Sequence, residues 1–167
     1  MAAFQNNLDI SQRIDWKIFQ NGWTCLYWRQ EVLKKDLDWF RKENFEVITF
    51  DCSNWEQSEK IHEALKRQLH FPEFYGKNLE ALNDCLSELK INDSGIVIVF
   101  EHFQFVEKNY AYQLLDVLAN NSREHILFGR KLLTLIQVED PNYHTDPIGA
   151  CPVLWNNSEW LDKNRGL

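Results

Sequence analysis

The chain has little of what covalent, metal or phosphate chemistry uses. Its four cysteines, Cys25, Cys52, Cys85 and Cys151, form no C-x-x-C pair, which leaves out the spacing of a zinc ribbon or a dithiol redox centre. They read as reduced, mostly buried thiols. The six glycines stand singly, with no G-x-G-x-x-G and no G-K-[ST], so the common phosphate-cradling loops are missing. The five histidines, His62, His70, His102, His125 and His144, share no ligand spacing such as H-x-x-x-H and are each expected to be exposed or partly buried. No apolar run approaches the roughly 18 residues of a membrane span. The opening "MAAFQNNLDI" has neither a cationic nor an apolar signal region, so a cytoplasmic location is the default expectation. Basic residues are also in the minority, 18 against 25 acidic, for a net charge of -7. That disfavours a phosphate-backbone binder and suits a cationic partner, although acidity also serves solubility.

What is present describes one compact domain. With 44% hydrophobic and 26% charged residues in 167 positions, a single core is expected to bury roughly 70% of the unfolded surface. The seven tryptophans are uneven: Trp16, Trp23, Trp28, Trp39 and Trp55 come early, Trp155 and Trp160 late. These flanks are expected to serve as core and cover. Short apolar runs at "TCLYW", "FEVITFD", "IVIVF" and "LLTLIQV" read as strands covered on both faces, and helical spacing fills the stretches between them. The expected fold is therefore α/β, a mostly parallel three- to four-stranded sheet packed with helices. The tail from Asp140, with Pro141, Pro147 and Pro152, is expected to wrap the surface in extended form.

The stretch "LHFPEFYGKNLEALNDCLSEL" carries the chemistry. Pro72 breaks the preceding helix, Gly76 permits a turn, and Asn78 stands where its side chain can cap a helix beginning at Leu79. Leu79, Leu82, Leu86 and Leu89 then form one core-facing stripe. The other face displays Glu80, Asn83, Asp84, Ser87 and Glu88, with Phe74 and Tyr75 in the adjoining loop. Like charges four apart cost a helix about 0.2 to 0.5 kcal/mol per pair, and only Glu80 is close enough to the N-terminus for the helix dipole to offset this. Two explanations stay open: a solvated acidic face on an acidic protein, or an electronegative patch beside two aromatics that receives Arg or Lys from a partner. A carboxylate pair for acid-base catalysis or Mg²⁺ is disfavoured, because two acids on one convex face make no converging pocket.

The segment "IHEALKRQLHFPEFYGKNLEALNDCL", from Ile61 to Leu86, resembles the signature of the barstar family, small inhibitors of barnase-type bacterial ribonucleases. The resemblance implies a barstar-like domain over 45–139. It is flanked by an N-terminal extension, 1–44, of a strand and a helix packed on the core, and by a C-terminal extension, 140–167, similar to that of a longer barstar-like subgroup. It implies an inhibitor that plugs a basic ribonuclease or toxin and uses no cofactor or metal. Asp84 matches the family's central acidic anchor and Glu80 a second contacting acid, while Phe74 stands at a contacting tyrosine. Gly76 and Asn78 match outright. The partner-binding set implied is Phe74, Tyr75, Gly76, Asn78, Glu80, Asn83, Asp84 and Ser87. Asn83 replaces an aromatic, Lys77 replaces an acid, and the family's acid on the later helix falls near Asn120, with Glu124 one turn on. The patch is thus less acidic, which points to a target other than barnase itself. The alternative is the same fold used as an interaction module for a non-nuclease partner.

Overall fold

In the computed structural model, which describes Phe4 and residues 9–167, the apolar runs line up in one sheet. In chain order the elements are α1 (Ile14–Gln20), β1 (Thr24–Tyr27), α2 (Gln30–Lys42), β2 (Glu46–Asp51), α3 (Ser58–Gln68), α4 (Leu79–Ser87), β3 (Ile96–Glu101), α5 (Lys108–Leu127), β4 (Leu132–Gln137) and β5 (Leu154–Trp155). The strand order is β2-β3-β4-β1-β5, and every pairing is parallel. This is an α/β fold with one strand more than expected. The fifth strand is two residues of the tail, which join the edge of β1 in the pairs Cys25↔Leu154 and Leu26↔Trp155. The tail therefore does more than wrap the surface. β1 lies between β4 and β5, so the segment read as an N-terminal extension supplies an inner strand. What was expected for residues 1–3 and 5–8 lies outside the described residues.

Strand alternation sorts the apolar side chains into two layers. Val97, Val99, Leu133, Leu135, Cys25 and Tyr27 pack with Ile18 of α1 and with Leu33, Leu37 and Phe40 of α2. Ile96, Ile98, Phe100, Leu132, Ile136 and Leu26 pack on the other face with α3, α4 and α5. β1, β3 and β4 are buried on both faces, which is why they read as continuous apolar runs.

Three helices stop in the same way. Phe45 N–H reaches Phe40 O, Phe71 N–H reaches Lys66 O and Arg130 N–H reaches His125 O, each across a residue with positive φ: Asn44, His70 and Gly129. This is the Schellman closure, in which a left-handed residue turns the chain out of the helix. Accordingly α3 ends through His70, two residues before Pro72.

Candidate functional site

Asn78 is the N-cap of α4, its Oδ1 accepting the Ala81 N–H at 2.8 Å. Leu82 and Leu86 are fully buried, and Glu80, Asn83, Asp84 and Ser87 stand exposed on the other face. The helix is shorter than its apolar spacing suggested: it ends at Ser87, whose hydroxyl donates to the Asp84 carbonyl at 2.7 Å. A side chain competing for a helix carbonyl favours termination. Glu88 is consequently the C-cap, and Asp84 lies in the last turn, where the helix dipole is unfavourable to a carboxylate.

The loop before α4 is tied down at several points. Tyr75 N–H closes a turn on Pro72 O at 3.0 Å. Lys66 pairs with Glu73 at 2.9 Å and Lys77 with Glu63 at 3.1 Å, both to α3. At Gly76 an added Cβ would meet Ala81 Cβ and Asn78 Nδ2 at 3.3 Å, so the turn is tightly fitted. The strongest anchor is the Tyr75 hydroxyl, 2.5 Å from His62 Nδ1, while His62 Nε2 is 2.5 Å from the Tyr110 hydroxyl of α5. Burial lowers the His62 pKa, with Glu59 opposing, and raises both tyrosines, Tyr110 to about 12. The three groups stay neutral at ordinary pH, with a tyrosine donating to one ring nitrogen and the other ring N–H donating to a tyrosine oxygen.

With its neighbour held inward, Phe74 is left 88% exposed. It borders a groove of about 680 Å³ together with Asp84 and Cys85 of α4, the C-cap Glu88, and Glu46 and Ile48 of β2. Among the described residues, no ion pair engages Glu80, Asp84 or Glu88. Burial first, and then the Asp84 and Glu88 carboxylates, raise the Cys85 pKa and keep the thiol protonated. Among the described residues, no group of three or more His, Cys, Asp or Glu is placed to hold a metal, and no helix is long and apolar enough to cross a membrane.

Several sequence expectations change. Tyr75 was expected beside Phe74 on the outer face, but it is 5% exposed and faces inward. His62 and His125 are also buried, the latter with Nε2 2.8 Å from Leu86 O. Asn83 has its Oδ1 hydrogen-bonded by Asn121 Nδ2 at 2.9 Å, so it is Asn121 and not Asn120 that α5 turns toward Asn83, while Asn120 donates to Asp116. The remaining predicted residues, Phe74, Gly76, Asn78, Glu80, Asp84 and Ser87, are exposed on the loop and helix. Sequence reasoning missed His62, Tyr110 and the β2 wall of the groove. No local signal points to them, because 48 residues separate His62 from Tyr110.

Two comparisons with known proteins bear on this arrangement. The family model described as "Barstar (barnase inhibitor)" matches residues 45–137. YrdF of Bacillus subtilis (strain 168), named as a candidate ribonuclease inhibitor, is 35% identical over 80 residues, which cover 46% of this chain and 86% of that protein.

Proposed function

Because the chain belongs to the barstar family, we propose that it blocks the active site of a small basic ribonuclease, using the acidic face of α4 in place of RNA phosphates. Asp84 is the central anchor in this reading. Glu80 is a second acid, Asn83 and Ser87 supply polar contacts, and Phe74 offers a ring to pack on the target. Gly76 and Asn78 shape the turn that presents them, and Tyr75 positions that turn from below. The observation that carries the reading is the set of exposed carboxylates without ion-pair partners beside an almost fully exposed phenylalanine on a tethered loop. Folding gains nothing from like charges in a row, whereas a cationic active site would neutralise them. On this reading the protein is an inhibitor and not an enzyme.

Less favours a non-nuclease partner held by the aromatic flanks. Trp39 packs on Phe40 and under Arg13, Trp23 under Arg123 and Trp155 under Arg165, so these rings are largely used within the molecule.

The test is an RNA-cleavage assay with basic ribonucleases of the barnase type. Cleavage should fall in proportion to added inhibitor up to a one-to-one ratio. Association should slow as salt rises, since charges are screened over about 10 Å at 0.1 M. Undiminished cleavage across such enzymes at excess inhibitor would overturn the reading.

A further inference from the structure

The two edges of the sheet are built differently. At one edge β5 is only two residues long, and short edge strands resist pairing with other chains. At the other, β2 runs from Glu46 to Asp51 and pairs with β3 without interruption from Glu46↔Ile96 to Asp51↔Glu101. Its sequence, EVITFD, has no proline, glycine or lysine, and no bulge breaks the register. Apart from the acids at its two ends, Glu46 and Asp51, nothing within the strand blunts this edge.

Hydrogen bonding determines which backbone groups face outward. Glu46 N–H donates to Gly95 O at 3.0 Å and Cys52 N–H donates to Glu101 O at 2.9 Å, so even-numbered residues bond to β3. Val47, Thr49 and Asp51 therefore direct their N–H and C=O groups away from the sheet. Beside this edge lies the groove bordered by Phe74, Asp84 and Glu88, with Glu46 and Ile48 on the strand side.

We propose that a basic partner adds an extended segment to β2 as a sixth strand, with its Lys or Arg side chains reaching the acids of the groove. This rests on the reading above that the partner is cationic, and it extends the contact from α4 onto the sheet. Charge selects the occupant. The strand has acids at both ends and no base, and in the groove Glu46, Asp84 and Glu88 outnumber Lys90. A second copy of this chain, itself at net charge -7, would bring like charges together. In strand addition the main chain supplies affinity and the alternate side chains supply selectivity.

The probe is a synthetic peptide of alternating lysine and valine, titrated into the isotopically labelled full chain. Expected are shifts and slowed exchange of the Val47, Thr49 and Asp51 amides. Thr49→Pro removes one outward N–H and leaves the ladder to β3 intact, so it should weaken binding about tenfold or more. Thr49→Val keeps the N–H and should bind like the parent. Melting curves check that both variants fold, and the amide exchange of the parent stands independently of either. Unchanged edge amides would overturn the proposal. So would shifts confined to Glu80 and Asp84, an outcome that leaves the acidic-face reading intact. Ribonuclease inhibition tests that reading separately, so the two can fail independently.

Discussion

The fully buried carboxylate of Glu159 accepts the backbone N–H of Trp28 at 2.8 Å, across 131 residues of sequence. Its other oxygen takes the N–H of Arg29 at 2.8 Å and Arg29 Nε at 3.2 Å. Arg29 is the N-cap of α2 and makes no side-chain cap of its own. An acid from the tail thus satisfies the start of a helix near the other end of the chain and complements its dipole. Hydrogen bonds to charged groups contribute about 1.5 to 3 kcal/mol. Glu159→Gln should lower stability by an amount in that range, and deleting residues 146–167 should lower it further, as denaturant melts will measure. An unchanged midpoint for both would show that the tail does not support the fold.

Asp84→Asn separates folding from binding. It removes one charge from the row and from the last turn of α4, so the free protein should melt unchanged or firmer by a few tenths of a kcal/mol. Binding to an inhibited ribonuclease should weaken by about 2 to 5 kcal/mol, because the partner's cation is left buried and unpaired. Glu88→Gln, at the C-cap and further from Phe74 along the helix, should cost less than about 1 kcal/mol. Calorimetric titration of both variants decides, and an Asp84→Asn protein that binds normally would move the interface elsewhere.

The His62 bridge makes stability depend on pH. Its folded pKa lies below the ordinary 6.5, so as pH falls the unfolded chain takes up the proton first. The contribution is complete above about pH 6.5, shrinks as pH falls through the folded value, and levels off beneath it. Melting temperature should therefore drop between about pH 7.5 and 5.5, and drop less in His62→Gln, which has no proton to gain. Parallel slopes in the two proteins would assign the pH dependence to other groups.

The turn at Ile148–Cys151 has two reciprocal 2.9 Å backbone hydrogen bonds, with Gly149 at φ 52° and Ala150 at φ 64°. Positive φ at both central residues is the type I′ geometry, costly for alanine. Ala150→Gly should raise stability by up to about 1 kcal/mol. Gly149→Ala should lower it by about 1 to 3 kcal/mol, since its Cβ would stand 3.1 Å from Ala119 Cβ and 3.2 Å from the Trp23 ring. Thermal melts that move the same way for both would contradict this reading of the turn.

Local features were legible without coordinates. Asn78 capping α4, the buried stripe through Leu82 and Leu86, and the four longer strands all depend on residues within one or two turns of each other. The acidic face was legible for the same reason, since helical period alone places Glu80 and Asp84 together. The length of α4 was not, because Leu89 continues the apolar spacing after the Ser87 hydroxyl has already closed the last turn. The inward turn of Tyr75 was not legible either. A loop aromatic beside another aromatic can face either way, and here a histidine 13 residues earlier takes it inward.

The sequence by itself determined the fold class, the order of elements from β1 to β4 and the acidic character of the α4 face, because hydrophobic period, caps and charge spacing act over a few residues. Only the tertiary structure decided that β1 is an inner strand and that Glu159 reaches the start of α2. The same holds for Tyr75 being held inward while Phe74 is left out, and for β2 standing, among the described residues, as an edge strand beside the acids. Each of these depends on which distant groups meet. That is settled when apolar faces are buried together and each polar group carried into the interior must find a hydrogen-bond partner.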